Sequence, residues 1–191
     1  MRAAGLETGR LTLGPATEAD VDALWAIWRD PDVRRYLFDD VPVTRERAAE
    51  IVSESACLAA DGLGVWTLRT RRAPAIIGCV GLLRTTTLAA LDPRLEDAVE
   101  VLASLAPEFW GSGYATEALG ALVAHAFGTL DLQVLVAATD LPNSPSQRLL
   151  GRLGFAVTGE CDGPRYRLRT YALDAGTFRE VRKRAPSPSS I

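Results

Sequence analysis

Short apolar runs recur along the chain, and each is bounded by glycine, proline or polar turn residues. Such runs are typical of strands when they are rich in valine, isoleucine and leucine. The predicted strands are 11–13, 64–69, 76–83, 99–105, 134–139, 154–160 and 165–173. The pattern therefore predicts a sheet whose strands come from both halves of the chain.

Stretches with helical spacing separate these strands. From Val21 to Trp28 apolar residues recur every three or four positions, behind an N-cap candidate at Thr17. A second N-cap candidate is Thr44. The predicted helices are 17–29, 44–60, 114–129 and 144–153, and the sequence RDPDV is predicted to end the first of them.

The order of these elements is β-α-α-β-β-β-α-β-α-β-β, which indicates a mixed α/β domain around one sheet. It is not the regular β-α alternation of a doubly wound nucleotide-binding fold. One domain is predicted over residues 1–183, followed by a polar, proline-rich tail at 184–191 that is expected to be disordered. Residues 84–97 are predicted to form a loop.

Composition narrows the classes of function. The net charge of -3 and the pI of 5.3 argue against a nucleic-acid partner, which usually requires a basic surplus. No apolar run approaches the roughly 18 residues of a membrane span, and the N-terminal residues lack the apolar core of a signal peptide. Cys57, Cys79 and Cys161 form no C-x-x-C pair, so neither a disulfide framework nor a metal site is predicted. A cytoplasmic location is expected.

A Gly-Ser-Gly turn at Gly111–Gly113 stands where the third predicted helix must start. The free N–H groups and positive dipole end of a helix N-terminus suit a phosphate, and glycines allow its close approach. A P-loop is excluded because no lysine follows the glycines. A dinucleotide fingerprint fits poorly, since a five-residue turn separates the strand from Gly111. It also remains possible on these residues alone that the glycines only provide a flexible start for the helix.

The segment PEFWGSGYATEAL resembles the acetyl-CoA-binding motif of the GCN5-related N-acetyltransferases, the GNAT family, and in particular its RimJ/RimL-like branch. The family pattern Arg/Gln-x-x-Gly-x-Gly/Ala falls on Trp110, Gly113 and Ala115, so tryptophan replaces the usual Arg or Gln. Residues 139–155 resemble the Asn-x-x-Ser and Gly-Phe segment of the family. Residues 100–110 resemble its fourth strand, with Glu100 at the usual acidic position. The likeness runs in order over residues 10–180.

The resemblance implies a mixed, mostly antiparallel central sheet, flanked by helices and splayed between its fourth and fifth strands. It implies that the pantetheine arm of acetyl-CoA enters this gap and pairs with the backbone of the fourth strand. The pyrophosphate would lie on the loop amides, Asn143 would bond the arm, and Ser146 would lie near the thioester sulfur. The implied cofactor-binding residues are Ala103, Leu105, Trp110, Gly111, Ser112, Gly113, Tyr114, Ala115, Thr116, Asn143 and Ser146.

The implied reaction is direct transfer of an acetyl group to an amine. The pKa of an amine is about 8 for a protein N-terminus and about 10 for lysine, so the site must remove a proton. Glu100 is the candidate base, and Ser146 is the candidate acid for the leaving thiolate. Ordinary structural roles remain open, because Glu100 starts a strand and Asn143 and Ser146 stand where helix caps occur.

The acceptor implied by this branch is a protein N-terminal α-amine, while amino acids, polyamines and aminoglycosides are acceptors elsewhere in the superfamily. Trp28, Tyr36 and Phe38 are candidates to line the amine pocket together with Glu100, while core packing is the favoured use of Trp25. Homodimers are common in the family. A non-catalytic acyl-CoA sensor and a dinucleotide oxidoreductase are the rival functions.

Two residues with reactive side chains are predicted to have structural rather than catalytic roles. Cys79 lies inside an apolar strand and is predicted to belong to the core. His125, the only histidine, lies in the middle of a helix without a partner in the sequence and is predicted to be at the surface or half-buried.

Overall fold

An eight-stranded sheet forms the centre of the computed structural model, which describes residues 4–85, 88 and 97–184. Its strands are β1 (Leu6–Glu7), β2 (Leu11–Pro15), β3 (Gly64–Thr70), β4 (Ile76–Arg84), β5 (Val99–Leu105), β6 (Val134–Asp140), β7 (Ala156–Asp162) and β8 (Arg167–Asp174). They lie side by side in the order β1-β2-β3-β4-β5-β6-β8-β7. All neighbours are antiparallel except β5 and β6. The predicted mixed, mostly antiparallel sheet is confirmed.

Helices cover both faces of this sheet. Those whose two ends are described are α1 (Val21–Trp28), α2 (Pro31–Leu37), α3 (Arg45–Leu58), α4 (Tyr114–Gly128), α5 (Ser144–Leu153) and α6 (Ala175–Arg184). Short 3-10 turns at Glu18–Asp20, Ala59–Asp61 and Pro107–Phe109 precede α1, follow α3 and follow β5. Within the described ranges no helix is both long and apolar enough to cross a membrane.

Side chains of a strand alternate between the two faces of the sheet, so β5 contributes to two separate apolar clusters. Val101 and Leu105 belong to the cluster beneath α4, α5 and α6. Leu102 packs against the cluster beneath α1, α2 and α3. Glu100 and Ser104 therefore share the α1–α2 face with Leu102. The polar side chains of β5 can therefore contact only ligand groups on the α1–α2 face of the sheet.

Of the helices whose two ends are described, α2 and α6 were not predicted, and residue 88 is also helical although it lies in the predicted loop. Asp30 and Pro31 were expected to end the first helix, but they also start α2. The Asp30 carboxylate accepts hydrogen bonds from the N–H groups of Asp32 (2.9 Å) and Val33 (3.4 Å). Proline suits the first position of a helix, where its missing N–H costs nothing. Similarly, the Asp174 carboxylate accepts the Thr177 N–H at 2.9 Å at the start of α6.

The predictions for the C-terminal tail and for the loop at 84–97 are tested only in part. Helix α6 includes residue 184, which had been assigned to the tail, and residues 185–191 lie outside the described residues. Of the predicted loop, residues 86–87 and 89–96 also lie outside them.

The sheet divides between β5 and β6. These parallel strands are in register only at Val99–Leu135 and Glu100–Val136, whereas β6 pairs with β8 over its whole length from Val134 to Asp140. The two-residue β1 was not among the predicted strands, so each later strand has a number one higher than in the prediction. The predicted parting of the fourth and fifth strands is therefore the one between β5 and β6.

Candidate active site

A cavity of about 880 Å³ opens where β5 and β6 part. Its walls come from these two strands, the start of α4, the first turns of α5 and one side of α2. Residues predicted from three separated segments meet there. The predicted site residues that line it are Tyr36, Glu100, Ala103, Leu105, Trp110, Gly111, Gly113, Tyr114, Ala115, Thr116, Asn143 and Ser146.

The Gly-Ser-Gly turn places the start of α4 at one end of this cavity. Gly111 and Gly113 have φ angles of 71° and 79°, in the left-handed region that glycine tolerates best. Gly113 is the N-cap of α4 and no side chain of the described residues caps the helix, so its first N–H groups are left for another acceptor. Together with the positive helix dipole they suit a phosphate.

Arg10, from the turn between β1 and β2, holds this loop from outside. Its Nε donates to Glu117 Oε2 at 2.6 Å, its guanidinium donates to the Ser112 carbonyl at 3.0 Å, and it lies 4.6 Å from the Tyr114 ring centre. Burial raises the pKa of Glu117, but hydrogen bonds from Thr8 and Arg10 outweigh it and the pKa is lowered. Ser112 itself does not line the cavity. Local sequence gave no signal for this long-range contact.

Trp110 has a definite role in the turn that leads into α4. Its indole Nε1 donates a hydrogen bond to the carbonyl of Leu105, the last residue of β5, at 2.8 Å. The ring is 48% exposed and lines the cavity. The tryptophan that replaces the usual Arg or Gln thus ties the turn to the end of the strand.

The backbone of β5 offers unpaired groups to the gap. Along a strand, successive residues direct their N–H and C=O groups to opposite sides. Because the Ala106 N–H is bonded to the Ile77 carbonyl of β4 at 2.9 Å, Ala103 and Leu105 direct theirs toward β6. There β6 has already diverged. With the Leu105 carbonyl bonded to Trp110, the Ala103 groups and the Leu105 N–H remain for an extended ligand.

Two buried hydroxyls at the same gap lack partners. Ser104 of β5 and Thr139 of β6 are 7% and 8% exposed, and both line the cavity. Their hydroxyl oxygens make no hydrogen bond to any described residue. Buried polar groups are nearly always hydrogen-bonded, so these two indicate a polar ligand in the gap.

The start of α5 forms the wall opposite β5. Asn143 is the N-cap of this helix, and its Oδ1 accepts the Ser146 N–H at 3.3 Å. The capping role that the sequence left open is therefore present. Because capping occupies Oδ1, the amide nitrogen of Asn143 is the group that can donate to a ligand. The Ser146 side chain also lines the cavity.

Glu100 lies at the point where the strands part. It is the last β5 residue in register with β6, opposite Val136. Burial raises the pKa of Glu100, and hydrogen bonds from the Thr85 side chain and the Ala138 backbone offset only part of that effect. A carboxylate with a raised pKa is a better proton acceptor near neutral pH.

Beyond Glu100, the wall formed by α2 and the end of β6 carries further acidic groups. Asp140 ends β6, is 5% exposed and lines the cavity with Asp39 and Tyr36. The Tyr36 ring lies 6.3 Å from that of Tyr166 in the β7–β8 turn. Sequence analysis missed Asp140; its position three residues before Asn143, at the end of a strand, was the available signal.

Two of the predicted aromatic residues do not line this cavity. Trp28 is 2% exposed and belongs to the core cluster beneath α1 and α3. Phe38 packs edge-on against Trp28, with ring centres 5.8 Å apart. Trp28 lies in the predicted first helix, but in the structure both side chains serve core packing rather than the pocket wall. Tyr36 is the predicted aromatic that lines the pocket.

The remaining reactive side chains lie away from the cavity. Cys79 is fully buried, as predicted, and burial raises its pKa to about 12, so it is not a nucleophile. His125 is 9% exposed, so its predicted surface or half-buried position is wrong: its helix face packs on Trp66. Burial lowers the pKa of His125. In the described ranges no cluster of three or more His, Cys, Asp or Glu side chains could hold a metal ion.

Comparisons with known proteins give one consistent answer. Residues 10–156 match the family model described as the acetyltransferase (GNAT) domain. The chain is 30% identical over 173 residues to a protein of Bacillus subtilis (strain 168) named uncharacterized N-acetyltransferase YoaA, covering 90% of each protein. A solved GNAT-family acetyltransferase from Bordetella pertussis is 25% identical with a TM-score of 0.78, over 88% of this chain and 98% of that one.

The solved neighbours also include RimL, a ribosomal L7/L12 alpha-N-protein acetyltransferase in complex with coenzyme A. Its TM-score is 0.73 at 17% identity, over 90% of this chain and 98% of that chain. At this identity the likeness concerns the fold alone.

Proposed function

Because the chain belongs to the GNAT family of acetyltransferases, we propose that it moves the acetyl group of acetyl-CoA to a primary amine. The observation that carries the proposal is the gap between β5 and β6, with the uncapped start of α4 at one end and Glu100 at the fork. We place acetyl-CoA in this gap and the amine on the α1–α2 face.

The residues present fit coenzyme A. The free N–H groups of Tyr114, Ala115 and Thr116 would hold the pyrophosphate. Arg148 and Arg152 of α5, which line the same cavity, would add positive charge beside the phosphates. The amide-rich pantetheine arm would pair with the unpaired Ala103 backbone and with the Asn143 side chain, as an added strand does.

The chemistry follows from these positions. Bound acetyl-CoA would supply the acetyl group as a thioester, which an amine can attack only after losing its extra proton. Glu100 would take that proton, and the new C–N bond would replace the C–S bond. The Ser146 hydroxyl would donate a proton to the departing sulfur, and the second proton that the nitrogen loses would restore the hydroxyl. Holding both reactants in one narrow gap accounts for much of the expected rate.

For the acceptor, we propose a protein N-terminal α-amine, as the likeness to the RimJ/RimL branch suggests. The proposal is tested by measuring thiol release from acetyl-CoA with peptides, amino acids, polyamines and aminoglycosides. Release above the amine-free rate is expected for at least one class. Binding of acetyl-CoA without release would favour the sensor, and stabilisation by NAD instead of acetyl-CoA would favour the oxidoreductase.

The Trp110–Leu105 hydrogen bond gives a prediction with an internal control. We expect Trp110→Phe to lower the free energy of unfolding by about 1 kcal/mol, the usual net value of one hydrogen bond, and to raise the KM for acetyl-CoA several-fold. Trp25→Phe removes a similar bond, from its indole to the Val43 carbonyl at 2.9 Å, away from the cavity. It should cost similar stability in urea unfolding but leave this KM unchanged. Equal KM changes would contradict the role given to Trp110.

A further inference from the structure

Asp140 is a nearly buried carboxylate that is not bonded to any side chain in the described part of the chain. It is 5% exposed, at the end of β6. None of the described residues donates a hydrogen bond to this carboxylate or forms an ion pair with it, although its backbone carbonyl accepts the Asn143 N–H at 2.9 Å. Burying a charge without a partner is costly, so such a group in a cavity wall calls for an explanation.

Arg165 acts on Asp140 electrostatically but is bonded to another carboxylate. Arg34 and Arg165 both pair with the neighbouring carboxylate of Asp40, at 3.2 and 3.1 Å. Burial first, and then repulsion by Asp39, raise the pKa of Asp140 to about 6, while attraction by Arg165 opposes this. Arg35 also lines the cavity, but its side chain is exposed and free to extend into solvent. Among the described residues, therefore, no arginine forms an ion pair with Asp140, and Arg165 only attracts its charge without bonding to it.

The backbone beside Asp140 supports the same interpretation. Asp39 and Asp40 are consecutive non-glycine residues with φ angles of 52° and 65°. This left-handed conformation is unfavourable for such residues and persists where the surroundings enforce it. Here it lets Asp40 bind the two arginines while Asp39 lines the cavity with Asp140.

Asp140 and Glu100 belong to one face of the sheet. Glu100 is in register with Val136, and alternate residues of β6 place Asp140 on the same side as Val136. Asp140 lies four residues further along, which is about 13 Å in an extended strand. The unpartnered Ser104 hydroxyl is on this face too. Two carboxylates thus mark two positions along one wall of the acceptor side.

We propose that Asp140, together with Asp39, binds a second positively charged group of the acceptor while its reacting amine lies at Glu100. The inference rests on the proposed function and narrows its substrate class to amines that carry another cationic group within about 13 Å. A polyamine and a peptide with a lysine or arginine near its N-terminus share this chemistry.

The test compares acceptors that differ by one charge. The values of kcat/KM are measured for octylamine and 1,8-diaminooctane, whose eight-carbon chain approaches this separation, and for a tripeptide with lysine or norleucine at its second position. We expect the dicationic member of at least one pair to be preferred about tenfold, which corresponds to about 1.4 kcal/mol. The pair that shows the preference identifies the source, a free polyamine or a basic peptide.

The variant Asp140→Asn should remove this preference. Asp162→Asn is the matched control, because it deletes one negative charge from an exposed residue that does not line the cavity, and it should retain the preference. Circular dichroism and melting temperature check the fold, and Asp39→Asn replaces Asp140→Asn if the latter does not fold. Equal kcat/KM within both pairs, or a preference that survives Asp140→Asn, would overturn the inference.

Failure of the proposed function gives a different result. If no amine is acetylated although acetyl-CoA binds, the acetyltransferase proposal fails, and calorimetry with 1,8-diaminooctane and spermidine then decides the inference. Weaker binding to Asp140→Asn than to the unmodified protein supports a cation subsite, and unchanged binding overturns it.

Discussion

Thr116→Glu is expected to leave the protein folded and to lower its affinity for acetyl-CoA by about 100-fold or more. Thr116 is in the first turn of α4 and lines the cavity. A carboxylate there is favourable for the helix, because it faces the positive end of the dipole. It would occupy the N–H groups proposed for the pyrophosphate and repel it, at about 4 kcal/mol for two unit charges 4 Å apart at an effective dielectric constant of 20.

Titration calorimetry with acetyl-CoA measures this loss. Thr116→Gln is the control for size, since it has the same shape without the charge, and it should lose far less affinity. A melting temperature close to that of the unmodified protein shows that the fold is intact. If folded Thr116→Glu bound acetyl-CoA normally, the phosphate site would have to be placed elsewhere.

Glu100→Gln is expected to reduce kcat by roughly 100-fold or more, the usual contribution of a general base, with little change in the KM for acetyl-CoA. Glutamine can keep hydrogen bonds at the fork between β5 and β6 but cannot take a proton. Glu180→Gln, on the exposed side of α6, is the control and should leave kcat unchanged. A kcat within a factor of about two of the unmodified protein would remove Glu100 from the catalytic role.

The same variant changes the pH dependence. Burial raises the pKa of Glu100, and a base works only when deprotonated, so kcat should fall as the pH drops through this raised pKa. The fall therefore starts at a higher pH than for an ordinary glutamate. Glu100→Gln should lose this dependence. Asp140, with a pKa of about 6, is a second group in this range, so the profile is best recorded with a monoamine acceptor.

Element bounds were predictable wherever local signals were sharp. The predicted limits of β5 and α5 agree with the structure to the residue, and α5 lies between the cap residue Asn143 and Gly154, whose φ of 92° ends the helix. Helix α2 was missed because proline was taken as a breaker, although Asp30 before it is a good N-cap. Such a signal has two meanings, and the sequence alone did not choose between them.

The site was predictable where it depends on one segment and not where distant segments meet. The glycine turn and the Asn143–Ser146 segment could be located from their spacing, and they line one cavity. The contact between Arg10 and Glu117 joins residues more than a hundred positions apart. The pKa of Asp140 depends on Asp39, which comes from the other half of the chain. Burial and charge of this kind arise only from tertiary packing.

The parting of β5 and β6 gives the sheet two additional edges in its interior. Open strand edges usually invite pairing with other chains and so promote aggregation. The outer edges of the sheet are β1 and β7, whereas the parted portions of β5 and β6 face a cleft walled by helices on both sides. The helices on the two sides therefore restrict the approach of another protein chain to these inner edges, while the cavity leaves the edges accessible to a ligand with amide groups.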